Sequence, residues 1–141
     1  MNELSDKNLE IKIIEIVENG NEFHVQKDYD RALKAYLNAW ELIPEPKLEW
    51  EVSNWISSCI YSAYFDIGNY ITAKEWGEIE LITKPSDIDT APYINLGMVN
   101  YELEQYDISY NYFEHAYNIG KKRAFNERPK KYLDFYLSYK K

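Results

Sequence analysis

An all-α fold of three helix pairs closed by one further helix is predicted by three observations on this 141-residue chain. Apolar residues recur at helical spacing in successive stretches. Small and aromatic residues return in the same order around Ala32, Ala73 and Ser109. Pro44, Gly68 and Pro85 punctuate the runs where helices should stop.

The first helix is predicted over Leu9 to Val25, where Ile11, Ile13, Ile14, Ile16, Val17 and Phe23 cluster without an interrupting proline. Lys27, Asp28, Tyr29 and Asp30 supply a turn and a cap, because a carboxylate can accept from the unpaired N–H groups of a first turn. The second helix runs from about Asp30 to Ile43, with Ala32, Leu33, Tyr36, Leu37 and Trp40 on its buried stripe, and Pro44 and Pro46 end it.

A second pair reads from about Leu48 to Lys84, broken at Asp66-Ile67-Gly68-Asn69, where Gly68 takes the left-handed backbone that ends a helix. Tyr70 and Ala73 repeat the spacing of Tyr29 and Ala32. Gly77 and Glu80 stand where an aromatic and a small residue belong, so Trp76 is expected to fill the gap. The third pair opens after the run SDIDTAP, with Thr90 as cap and Pro92 in the first turn. Tyr93, Leu96 and Gly97 mark its first helix, Tyr106 its turn, and Phe113 and Ala116 match Tyr36 and Ala39. From about 128 to 140, Pro129 opens a last helix with Tyr132, Leu133, Phe135, Tyr136 and Tyr139 on one side. Such a helix covers the unpaired apolar face that ends a stack; a basic amphipathic tail for membranes or acidic partners is the rival reading.

The run from Gly20 to Pro44 carries the most specific signal. Phe23 follows Gly20 at the third place, and Tyr36 and Ala39 follow Ala32 at the fourth and seventh. In this pattern the chain resembles the tetratricopeptide-repeat family over roughly residues 5 to 120, with repeats at about 5–44, 47–85 and 90–120 and a capping helix at about 128–140. Ala32, Ala73 and Ser109 lie 41 and 36 residues apart, against about 34 in an unmodified repeat. The resemblance implies a single domain over 1–141, a right-handed superhelical stack, and a protein-binding role without catalysis or cofactor. It also implies a concave groove lined by the first helix of each pair: Ile14, Val17, Asn21 and His24, then Trp55, Ser58, Ser62 and Phe65, then Ile94, Met98, Tyr101 and Glu102. The family's clamp for the carboxyl-terminal tail of a heat-shock chaperone uses lysine, arginine and asparagine. Here only Asn21 fits, while Val17, Cys59, Ala91 and Asn95 occupy the other places, so two carboxylates find no cationic partner.

Charge and composition bound the partners. Net charge is −8, but Lys121 to Lys141 carries eight basic and two acidic residues, leaving −14 on the first 120. An acidic body repels nucleic acid and favours a basic protein, unless the charge serves solubility alone. The acidic start has no secretory pattern, no stretch is long and apolar enough to span a membrane, and the lone Cys59 suits a reducing compartment, which together predict a cytoplasmic protein. His24 and His115 are too far apart in sequence for a metal motif, and Cys59 lies in the apolar run WISSCIYSAYF, as a buried side chain rather than a nucleophile. Tyr36, Trp40, Trp76 and Phe113 read as core; Trp55, Phe65 and Tyr101 are divided between core and groove.

In general form and in its tail PKKYLDFYLSYKK the chain is also similar to small acidic repeat proteins associated with Rhs-type and other polymorphic toxins, some of which are immunity proteins. That implies a cytoplasmic antagonist of a basic toxin domain. An adaptor or specialised chaperone for a secreted or assembling partner is the alternative.

Overall fold

The computed structural model describes residues 2–139. The chain divides into two compact units, Met1–Pro85 and Ser86–Lys141. The first holds α1 (Lys7–Val25), α2 (Tyr29–Leu42), α3 (Glu51–Asp66) and α4 (Tyr70–Ile82); the second holds α5 (Ala91–Glu102), α6 (Tyr106–Gly120) and α7 (Lys130–Ser138). Helices pair α1 with α2, α3 with α4, and α5 with α6. No strand occurs among the described residues; Asn2 makes one isolated bridge to Trp50, and Leu4 beside it is buried.

Each pair turns in the same way. Lys27, Gly68 and Glu104 have φ of 62°, 82° and 62°. The next residue in each case, Asp28, Asn69 or Gln105, donates its N–H to Phe23, Tyr64 or Asn100 five residues back, at 2.9, 2.9 and 2.8 Å. This left-handed cap satisfies carbonyls that the ending helix leaves open. The Asp28 and Asn69 side chains then cap the following helix through the N–H groups of Arg31 and Thr72. At the third pair Thr90 forms no side-chain cap; Asp89 accepts the Ala91 N–H instead, at 3.2 Å.

The helix seams follow size. A Cβ on Gly20 would lie 2.7 Å from Tyr36, and one on Gly97 2.4 Å from the Phe113 ring, so these pairs close only because the glycines lack side chains. In the middle pair the register reverses the two. Tyr61 stands 41 places after Gly20 and Gly77 41 after Tyr36, and both Tyr61 and Gly77 are buried. Trp76 does not fill that gap; its ring lies edge-on to Trp40 of α2, 5.1 Å away. Around these seams Ile13, Val17, Ala32, Tyr36, Ala39, Ile56, Ile60 and Ala63 form the core of the first unit. Each buried isoleucine or valine among them contributes about 1.5–3 kcal/mol relative to an exposed one. Lys47 fastens the end of α2, its Nζ donating to the carbonyls of Trp40, Glu41 and Ile43 at 3.0, 3.2 and 2.7 Å.

In the second unit α7 lays its aromatic side onto its neighbours. Tyr132 is buried and packs edge-on against Tyr101 at 5.4 Å, Phe135 meets Tyr101 at 5.1 Å, and Tyr136 stacks on Tyr110 at 5.2 Å. The side read as amphipathic is thereby largely used in packing. Lys140 and Lys141, part of the basic tail, lie outside the described residues.

Candidate binding surface

Within Met1–Pro85, the predicted groove positions of α1 and α3 form two stripes at helical spacing, and a polar network ties them together. Tyr36 donates to Asn21 Oδ1 at 2.7 Å, and its oxygen is 3.2 Å from His24 Nδ1. His24 Nε2 faces the Asp66 carboxylate at 2.7 Å, joining the end of α1 to the end of α3. Cys59 Sγ lies 3.9 Å from the same Asn21 oxygen. The network has hydrogen-bonded members on three helices, which fixes their spacing.

Burial pushes the Tyr36 hydroxyl well above its ordinary range, with the Cys59 and Asp66 charges adding to it. Burial likewise pushes the Cys59 thiol up to about 11, against a smaller opposing hydrogen bond from Ser58. A thiol so placed stays protonated at neutral pH, the reverse of an activated nucleophile.

Not every position reaches the surface. Val17 is 0% exposed and belongs to the core, because it faces inward on the α1 stripe that carries Ile13 and Gly20. Ile14, Asn21, His24, Trp55, Ser58, Ser62 and Phe65 are half-buried. Ser58 donates to the Trp55 carbonyl of its own helix at 2.7 Å, Phe65 is held between Tyr61 and Tyr70, and Trp55 leans on the core with one part exposed. Ile14, Trp55 and Ser62 are therefore the side chains of this face least committed elsewhere.

The third set behaves differently. Ile94 and Met98 are buried, at 0% and 6% exposed. Arg128 donates to Asn95 Oδ1 and lies 3.2 Å from Met98 Sδ, while Tyr132 donates to Glu102 Oε2 at 2.6 Å and Lys131 pairs with it at 2.9 Å. Lys131 also sits over the Tyr101 ring at 5.4 Å. Ile94 is thus core, and Met98, Tyr101 and Glu102 serve packing within Ser86–Lys141, where the chain's own C-terminal segment lies against them rather than leaving an open groove. Asp66 and Arg128 are the interacting residues that spacing did not reveal, and Tyr36, marked by spacing as core, also carries a hydroxyl into the network. A carboxylate ending α3 and an arginine before α7 have no signature until the helices are placed.

Among the described residues no three His, Cys, Asp or Glu side chains gather as a metal site, and no helix is long and apolar enough to cross a membrane. His115 stacks on Tyr93 at 3.9 Å, away from the adjacent Glu114, whose carboxylate accepts from Tyr110.

No protein-family model matches the chain, and no curated protein matches it in sequence. Solved structures do. The chain is similar to the first tetratricopeptide domain of Spaghetti (RPAP3) bound to the HSP90 peptide SRMEEVD, with TM-score 0.69 and 19% identity over 90% of this chain and 94% of that one. It is similar to the first such domain of human RPAP3, with TM-score 0.67 and 20% identity over 90% and 97%. The tetratricopeptide domain of Sgt2 from Aspergillus fumigatus aligns with TM-score 0.68 and 16% identity over 90% and 76%. The chain has the tetratricopeptide-repeat fold.

Proposed function

We propose that the protein is a binding module, acting without catalysis as an adaptor or specialised chaperone, whose recognition face lies on α1 and α3 of the unit Met1–Pro85. One observation carries this reading. The Asn21–Tyr36–His24–Asp66 network holds the two helices in register and leaves Ile14, Trp55 and Ser62 partly open beside it. An aromatic anchor beside small polar groups suits a peptide or helix of a partner protein.

The chemistry selects among ligands. The Spaghetti domain holds a peptide with three carboxylate side chains. Here Val17 is buried and Cys59 is a protonated thiol, and the network ends on the carboxylate of Asp66. An acidic tail would meet an apolar side chain, a neutral thiol and a carboxylate at these places, so a neutral or basic segment is preferred. The test is capture of partners from the native cell, followed by Trp55→Ala and Ser62→Arg. Loss of the same protein with both variants, at unchanged helicity, is expected; undiminished capture by both would place recognition elsewhere.

A second reading, antagonism of a basic toxin domain, rests on charge. The unit Met1–Pro85 carries sixteen acidic and eight basic residues, and the 35 residues from Ser86 to Gly120 include no lysine or arginine. Co-expression with a toxin domain encoded next to this protein should then restore growth; absence of both rescue and binding removes this role.

A further inference from the structure

Away from the α1–α3 face, an open cleft lies between α1 and α2. Its floor is apolar, formed by Ile16, Phe23 and Ala35. Both charged side chains lining it are positive, Arg31 and Lys34, in a unit whose net charge is −8. Arg31 lies over the Phe23 ring at 5.7 Å and reaches Asp28 at 3.5 Å, yet 71% of its side chain is exposed, so other guanidinium donors meet solvent. Lys34 is exposed and has no side-chain partner among the described residues.

The unit Ser86–Lys141 presents the complementary chemistry. Ser86 Oγ accepts the Ile88 N–H and its carbonyl accepts the Asp89 N–H, both at 3.2 Å, in a turn that leaves Ile88 76% exposed. An aliphatic side chain so open, between Asp87 and Asp89, matches an apolar floor with a cationic rim. Lys122 is also exposed, a cation for the acidic surface that lies outside the cleft. With eight acidic and eight basic residues, Ser86–Lys141 is formally neutral and approaches such a unit without net repulsion.

We propose that the Asp87–Asp89 turn of one copy seats in the α1–α2 cleft of a second copy, Ile88 on Ile16, Phe23 and Ala35, its flanking carboxylates toward Arg31 and Lys34. The two surfaces differ, so the contact is heterologous and runs head to tail. One turn in one cleft buries less than a stable dimer needs, and the association is weak, with a dissociation constant of about 10 µM to 1 mM. The test is sedimentation equilibrium of the full chain across that range at about 0.15 M salt, where screening beyond roughly 8 Å limits repulsion between two acidic copies. Weight-average mass should rise with concentration. Ile88→Ser and Lys34→Glu, both at exposed positions, should each weaken association at least about tenfold with unchanged helicity. Mixing Lys34→Glu with Asp87→Lys should recover it, because the first supplies an acidic cleft and the second a basic turn. A wild-type chain that stays monomeric throughout, an association that Ile88→Ser leaves intact, or a mixture no better than its components overturns the proposal.

Discussion

Substituting Gly97 by alanine isolates the contact on which the third helix pair depends. Helix propensity alone makes the change favourable by about 1 kcal/mol, since Gly97 sits in the interior of α5. The seam opposes it. The added methyl carbon would stand 2.4 Å from two carbons of the Phe113 ring and 2.9 Å from a third, far inside contact distance. Phe113 is fully buried and cannot swing aside, with Phe125, Tyr132 and Phe135 around its ring at 5.2, 6.0 and 6.2 Å. Overpacking of a closed core costs about 3 kcal/mol at the upper end of its usual range, so the net loss is about 2 kcal/mol. In a protein of this size that lowers the melting temperature by roughly 6–10 °C. All four tryptophans lie in Met1–Pro85, so unfolding should be followed by circular dichroism at a helical band as well as by fluorescence. A Phe113→Leu companion, which removes ring atoms at the clash, should make Gly97→Ala less costly than it is alone. Unchanged or increased stability of the single variant would refute the reasoning, showing that propensity outweighs the seam.

Four further outcomes follow from the same structure. Lys27→Gly and Glu104→Gly, each at a φ of 62°, should stabilise by about 0.5–1 kcal/mol in urea melts because glycine relieves the left-handed strain. Lys47→Met should cost about 1–2 kcal/mol, as three carbonyls at the end of α2 lose one charged donor. Cys59 has a folded pKa raised to about 11 from 9.0, so the stability it contributes is full below pH 9 and falls as pH rises toward 11. Cys59→Ala should flatten that alkaline decline by about 2 kcal/mol, measured by urea melts across the interval. Truncation before Pro129 should uncover Phe113 and Tyr101, shown by increased binding of a hydrophobic dye and by aggregation on heating.

The helices were readable because their signals are local. Apolar spacing placed α1 and α2, the Lys27–Asp30 run placed the turn between them and Pro44 the end of α2, to within a residue or two. The turns were half readable: Gly68 announces its left-handed backbone, whereas Lys27 and Glu104 adopt the same conformation with side chains that give no warning. Once Gly68 is aligned with them 41 and 36 residues away, the repeat itself supplies the missing signal. The middle pair shows where register reasoning needs both helices at once. Gly77 looks like a missing aromatic only if α4 is read alone; read against α3, the buried Tyr61 stands at the place of Gly20, so large and small residues have exchanged sides of the seam.

Binding residues are harder because one helical stripe contains both core and surface. Val17 and Asn21 are four residues apart on α1, yet the first is sealed and the second accepts a hydrogen bond. Periodicity gives the direction of a side chain but not the height of the neighbouring helix that covers it. The same lack of information misplaced Met98, Tyr101 and Glu102. A groove position on the last pair is open only if nothing stacks beyond it, and here Arg128, Lys131 and Tyr132 do. This stretch reads as a capping helix with a basic amphipathic tail as the rival, and the charges of Arg128 and Lys131 go to Asn95 and Glu102 inside the unit, as a cap requires. On the α1–α3 face of the first unit the polar network ends on the Asp66 carboxylate, which is the physical reason to expect a neutral or basic segment there.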